Sequence, residues 1–334
     1  MTEIQAAPDA NLTQAGPQGT DLTAENTRLR RVPGYAPRAP KVTRVVAARV
    51  SLRARMVEIW RSRELFAFLV RKEIKVKYKN SILGFLWSLL SPALTLIVYF
   101  LVFSIILKNG VPEFVIYLFS GLLAWNLFLS ATMSATSAVV GNGGIVKKVA
   151  FPREVLALSS VGSSVVFFCF QSLVMVVFLL ALWHAPAWGE IWLLVPALAA
   201  VIMFSAALGV FLSAINVYFR DMQHLVEVLL TAWFWGLPVV YTFHQVKAGI
   251  EHHHLTWIYL ADPLVPVVLT FQRVLYNVST YTPTGSPGPV ALLPPHGAAW
   301  YMLCDLAVFV VSIGLFLFAL VVFGRLEGNF AEEL

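Results

Sequence analysis

Residues 64–92 read ELFAFLVRKEIKVKYKNSILGFLWSLLSP. A basic, amphipathic segment runs without a break into an uncharged apolar stretch that continues to Leu107. Arg71, Lys72, Lys75, Lys77 and Lys79 gather at the junction. Basic clusters beside a span are retained in the cytoplasm, so this one sets the threading, with cytoplasm before Asn80 and bilayer after it. Upstream, apolar residues recur at helical spacing from about Leu52 to Tyr78. Phe66, Leu69, Val70 and Ile74 share one face, while Arg61, Glu64, Arg71 and Lys75 lie elsewhere on the wheel. A helix with a basic face and an aromatic-aliphatic face belongs in the headgroup layer, so residues 51–80 are expected to form an amphipathic interface helix. The other reading is a solvated helix packed on a partner protein.

The composition agrees with a membrane protein. The 334 residues are 58% hydrophobic and only 13% charged, where soluble domains carry roughly 25% charge. Charge is segregated: 16 of the 24 Lys and Arg residues precede Asn80, against 7 acids there. The basic balance is therefore a property of the N-terminal arm. A basic arm can also mark nucleic-acid binding, but this one leads into a span, and no nucleic-acid partner is expected. Residues 1–50 are rich in Ala, Pro, Gly, Thr and Gln and lack apolar periodicity in their first 45 positions, which reads as a disordered cytoplasmic arm. The first 27 residues hold four acids, no Lys or Arg and no apolar core, so no secretory signal is visible. Cys169 and Cys304 fall inside apolar runs and support no disulfide framework.

A helix needs roughly 20 apolar residues to cross the hydrocarbon core. Six stretches qualify, at about 82–107, 114–140, 155–183, 191–218, 225–243 and 298–323. An even number puts both termini on one side, the cytoplasm. The fold class expected is an all-α integral membrane protein with six transmembrane helices. Between Phe243 and Ala298 the chain is too apolar for an ordinary loop. Leu255–Leu260 and Leu264–Leu275 suit short re-entrant helices, broken by Asp262, Pro263 and Pro266, on the outer side. Tyr281–His296, with its prolines and glycines, reads as an exposed loop.

Signs of catalysis are few. The Gly-rich run from Gly141 to Lys148 lacks the spacing and the Ser or Thr of a phosphate-binding loop. His252, His253 and His254 have no further ligand type nearby in sequence, and no metal site is expected. Only Glu227 and Asp305 place an acid within a span, each near an end, so proton- or sodium-coupled transport lacks its usual parts. Energy for any transport would come from a partner. Aromatic residues in the spans offer ring faces on which sugars stack. Trp87, Trp125, Phe167, Trp233, Phe234, Trp235 and Tyr241 are the candidates for a pore wall, with lipid-facing bulk and interfacial belts as the alternative. Two cytoplasmic loops are more specific. Residues Lys147, Lys148, Phe151, Pro152, Arg153 and Glu154 suit a short helix that docks on a soluble partner, with Pro152 in its first turn and Glu154 at the positive end of its dipole. Arg220 and Asp221 sit at the membrane edge between the fourth and fifth spans.

At these residues the chain resembles the ABC-2 type permeases of polysaccharide exporters, which serve O-antigen, teichoic acid or mycobacterial galactan. The resemblance is carried by Ile74 to Trp87 with Pro92, by Lys148 to Val155 with Leu158 and Ser159, by Asn216 to His224 continuing to Pro238 and Tyr241, and by Phe323 to Leu334. It covers about residues 58–334 and implies a transmembrane domain over 81–334. It further implies that a separate ATPase binds ATP and magnesium, the permease itself carrying no cofactor and no catalysis. The 147–154 loop would couple to that ATPase, and the segment after Phe243 would form gate helices. Two permeases and two ATPases would make the working unit. The substrate implied is a glycan on a polyprenyl diphosphate lipid, crossing the plasma membrane. Arg71, Lys72, Lys75, Lys77 and Lys79 would then hold the diphosphate. Many relatives have Asn-Pro where this chain has Asp262 and Pro263. An ABC-2 drug or lipid efflux permease is the nearest alternative. A membrane-embedded glycosyltransferase would need an acidic pair facing a cavity, and none is apparent.

Overall fold

The computed structural model describes residues 51–79, 86–106, 110–250, 256–282 and 288–334. The arm expected at 1–50, the start of the first span at 80–85 and the histidine triplet lie outside the described residues. Two helices open the described chain, α1 (Leu52–Arg61) and α2 (Arg63–Tyr78). Helix α3 (Leu86–Phe100) passes into a π-helical turn at Leu101–Ile106. Then come α4 (Phe114–Gly141), the single-turn α5 (Gly143–Val146), α6 (Glu154–Ala181) and α7 (Leu194–Tyr218), the last entered through a 3-10 turn at Trp188–Leu193. They are followed by α8 (Met222–Phe234), α9 (Phe243–Ile250), α10 (Thr256–Leu260) and α11 (Leu264–Leu275). Two short strands, β1 (Thr280–Tyr281) and β2 (Val290–Ala291), pair antiparallel with Thr280 opposite Ala291. Helix α12 (Ala298–Leu326) and the single-turn α13 (Phe330–Glu333) complete the chain.

Four of these elements are long and apolar enough to cross a membrane: Phe114–Gly141, Glu154–Ala181, Trp188–Tyr218 and Ala298–Asn329. They fall where the sequence places the second, third, fourth and sixth spans, and the chain is an all-α membrane protein. Helix α4 is the central one, with 78% of its apolar window buried against 22% for α6 and α12, which turn most of their surface outward. Small residues let α4 and α7 approach closely. Ala131, Ala135 and Ala138 on α4 and Ala206, Val210 and Ala214 on α7 belong to one buried cluster. A Cβ on Gly209 would lie only 2.5 Å from that of Ala135. Several hydroxyls inside the helices bond their own backbone, as with Thr136 to the Thr132 carbonyl and Ser205 to the Val201 carbonyl, both at 2.7 Å.

The expected fifth span differs. Helix α8 stops at Phe234 after 13 residues, about 20 Å at 1.5 Å per residue, short of the roughly 30 Å hydrocarbon core. Gly236 and Pro238 follow, and proline cannot continue the hydrogen-bond ladder. The chain turns and restarts as α9. The freed carbonyls find new donors: Tyr117 bonds the Tyr241 carbonyl at 2.9 Å, and the Gln272 amide bonds that of Pro238 at 2.7 Å. Helix α11, expected as a short outer element, is buried along most of its length against α4 and α7. The segment after Tyr281 is not an exposed loop throughout. Tyr281, Leu292 and Leu293 are buried, and the β1–β2 pair closes its base.

The segment expected as one interface helix is two, broken at Ser62, whose hydroxyl takes the Glu58 carbonyl at 3.0 Å. Its apolar face is also used differently from the expectation. Leu69 is buried in the protein, and a Cβ on Gly162 of α6 would meet the Phe66 ring at 2.7 Å and Val70 at 3.1 Å. That face packs on α6. Exposed apolar side chains remain elsewhere, at Phe68 and Val76 on α2 and at Met56, Val57 and Trp60 on α1.

Candidate functional site

The basic cluster at the junction is split by the fold. Arg71, Lys75 and Lys79 are exposed. The Lys72 ammonium donates to the Asn142 side-chain oxygen at 2.8 Å, tying α2 to the end of α4. The Lys77 ammonium lies 3.7 Å from the centre of the Phe167 ring. Loss of hydration there pushes its pKa down from the usual lysine value. Between them, Glu73 accepts from the Ser160 hydroxyl at 2.7 Å. Lys72 and Lys77 therefore hold α2 in place, Lys77 while remaining exposed, and Arg71, Lys75 and Lys79 present their charge to the surroundings.

The loop between α4 and α6 keeps its exposed character over Lys147, Lys148 and Val149, with Phe151, Pro152 and Arg153 half-buried. No separate short helix forms at 152–155. Pro152 leads directly into α6, and Glu154 is that helix's first residue. Its side chain is fully buried and pairs with Arg55 of α1 at 2.5 Å. Glu154 thus faces the protein interior and lies away from the loop's exposed surface. Arg55 also pairs with Glu327 beyond the end of α12. Arg153 donates to the Glu327 carbonyl at 2.5 Å and covers the Phe330 ring at 5.7 Å. From the second loop, Tyr218 donates to the Leu326 carbonyl at 2.7 Å. Arg220 and Asp221 are both exposed. The C-terminal segment thus sits against the root of α6 and the end of α7. Sequence reading missed Arg55, Asn142 and Glu327, because single polar residues scattered over 272 positions carry no periodic signal.

The candidate pore aromatics separate into distinct environments. Trp125 and Phe234 are buried in the protomer and meet each other at 5.4 Å between centroids. Trp233 packs edge-on against Phe128 at 5.5 Å, and its indole nitrogen donates to Asp262 at 2.6 Å. Phe167 is engaged by Lys77 and, edge-on, by Tyr78. Tyr241 donates to the Trp235 carbonyl at 2.6 Å, and Trp235 has 54% of its surface exposed. The side chain of Trp87 lies outside the described residues. Among the described residues no three His, Cys, Asp or Glu side chains cluster as a metal ion would require.

The model of the ABC-2 type transporter family matches residues 64–276, from α2 through the core of the bundle to the end of α11. The chain belongs to the ABC-2 type transporter family. Relatives of this ABC-2 transporter chain include the O-antigen export system permease protein RfbA of Myxococcus xanthus, 33% identical over 66% of this chain and 83% of the relative. The protein of the same description from Klebsiella pneumoniae is 27% identical over 64% of this chain and 81% of its own length. The polysialic acid transport protein KpsM of Escherichia coli is 23% identical over 60% and 76%. The ABC-2 chain is thus a multi-pass membrane transport subunit, and its buried polar residues serve packing and positioning.

Proposed function

We propose that the chain is the permease subunit of an ATP-driven exporter that moves a polysaccharide, carried on a polyprenyl diphosphate lipid, out of the cytoplasm. The observation that carries this reading is the 33% identity across 83% of an O-antigen export permease. Two copies of the chain work with two copies of a separate ATPase, which binds ATP and magnesium. Both termini are cytoplasmic, following the positive-inside bias of residues 71–79. The chain crosses the membrane six times, α3 with the residues before it serving as the first span and the broken α8–α9 pair as the fifth. Helices α10 and α11 act as gate elements at the outer mouth. Residues 51–79 lie at the cytoplasmic leaflet.

Within that frame, Lys147, Lys148, Phe151, Pro152 and Arg153 contact the ATPase, while Arg220 and Asp221 flank the same face. Arg71, Lys75 and Lys79 are exposed beside the first apolar helix, where a diphosphate headgroup arrives, and they meet it electrostatically. Trp233, Trp235 and Tyr241 gather at the break after α8 and offer ring faces to a passing glycan.

Depletion of the protein tests the reading. Cytoplasmic lipid-linked glycan should accumulate, and a wild-type copy should clear it. No accumulation, together with new sensitivity to amphiphilic drugs, favours a drug or lipid efflux permease instead.

A further inference from the structure

Helix α1 is seated by a charge. Its one buried residue is Arg55, while Met56, Val57 and Trp60 around it are exposed. Helices of globular proteins are ordinarily seated by an apolar stripe; here only the half-buried Ile59 packs on the apolar cluster. The Arg55 Nε lies 2.5 Å from Oε1 of Glu154, and its second arm pairs with Glu327. Glu154 is fully buried, with Arg55 its ion-pair partner among the described residues. Gly324 on α12 makes the room, because a methyl group there would overlap the guanidinium. Arg153, the residue before Glu154, binds the Glu327 carbonyl. One guanidinium therefore joins three segments: the helix before the first span, the root of the 147–153 loop and the C-terminal segment.

We infer that Arg55 is a positioning residue for ATP-driven transport. It makes α1, the loop that meets the ATPase and the C-terminal segment move as one body. The inference rests on the coupling role proposed above for residues 147–153. A buried ion pair is a poor source of net stability and a good device for holding one arrangement against others. The guanidinium stays charged and lies against both carboxylates at once, by charge contact with Glu154 and by a hydrogen bond to Glu327. The loop itself is exposed at Lys147, Lys148 and Val149. A push on it reaches the membrane-surface helices only if its root is braced, and Arg55 supplies that brace.

The test uses the permease reconstituted with its ATPase in liposomes. ATP hydrolysis and export of a fluorescent polyprenyl-diphosphate glycan are measured in the same vesicles for wild type, Arg55→Lys, Arg55→Gln and Gly324→Ala. Alanine is a better helix former than glycine, so Gly324→Ala disturbs Arg55 without weakening α12 itself. Arg55→Gln and Gly324→Ala should still bind the ATPase and hydrolyse ATP, with glycan exported per ATP reduced roughly tenfold and Arg55→Lys in between. Export and hydrolysis falling in proportion, or neither changing, overturns the inference.

Spin labels at Met56 and Val149, both exposed, give a readout that needs no substrate. Their distance should be the same in nucleotide-free and vanadate-trapped wild type and should broaden in Arg55→Gln. A wild-type distance that changes between the two states also overturns it. If Lys148→Glu with Val149→Glu leaves ATPase binding intact, the coupling role of the loop has failed. If that role stands and Arg55→Gln keeps full export per ATP, the inference alone has failed.

Discussion

The Lys77 ammonium sits over the Phe167 ring at 3.7 Å, and this pair joins the last turn of α2 to α6. It engages one lysine of the basic junction and one of the candidate pore aromatics. Cation–π contacts contribute about 1 kcal/mol where partly desolvated. Phe167→Leu should therefore lower the thermal unfolding midpoint of the purified permease modestly, and Phe167→Tyr should leave it unchanged. Export should follow stability in both variants. A large export defect in Phe167→Leu at unchanged stability would return Phe167 to the pore wall.

The five basic residues of the junction should fall into two groups. Changing Arg71, Lys75 and Lys79 together to Gln should impair export while unfolding midpoints and membrane insertion stay at wild-type values. Lys72→Met removes a donor from Asn142; a hydrogen bond with a charged partner is worth about 1.5–3 kcal/mol, less where solvent reaches it. That variant should lose stability first and export only in proportion. Normal export by the triple variant would remove the proposed headgroup role.

Gly209 and Ala135 mark the closest approach of α4 and α7. Gly209→Ala should overpack the contact and cost about 1–3 kcal/mol. Adding Ala135→Gly should recover part of that loss, because the two methyl groups compete for one space. Denaturation of the single and double variants in detergent measures the coupling. Additive losses would mean that the helices relax independently of this pair.

Asp262 uses both of its oxygens. Oδ2 accepts from the Trp233 indole at 2.6 Å, and Oδ1 accepts from the Leu264 backbone N–H at 2.9 Å, at the start of α11. An amide has one acceptor atom, so Asp262→Asn must turn its own N–H groups toward one of these donors. The expected cost is about 1–3 kcal/mol. Trp233→Phe should cost a similar amount, and the double variant less than the sum of the two. Circular-dichroism melts of the three variants check this. The carboxylate is thereby matched to its two donors in this chain.

Much of the architecture was legible because the bilayer imposes length and charge rules that act along the chain. Long uncharged runs mark α4, α6, α7 and α12 to within a few residues, since a helix is the only way to bury that much backbone in lipid. The stretch at 225–243 is interrupted instead, its helix ending at Phe234 just before Gly236 and Pro238. Two findings lie beyond what periodicity reports. The Phe66, Leu69 and Val70 face has the periodicity of a membrane-surface helix, yet it packs on α6. Periodicity reports that a face is apolar and is silent on whether lipid or protein covers it. Trp125 and Phe234 were candidates for a pore for the same reason, and both are buried in the protomer.

The linear order of residues was enough to determine a membrane protein, the position of its long helices and its family. The partners of single charged groups were decided only by the tertiary structure. Arg55 and Glu327 are 272 residues apart, and nothing local distinguishes either from an ordinary solvated charge. Burial and countercharge are properties of three-dimensional neighbours, and they exist only once α1, the root of α6 and the end of α12 have been brought to one place.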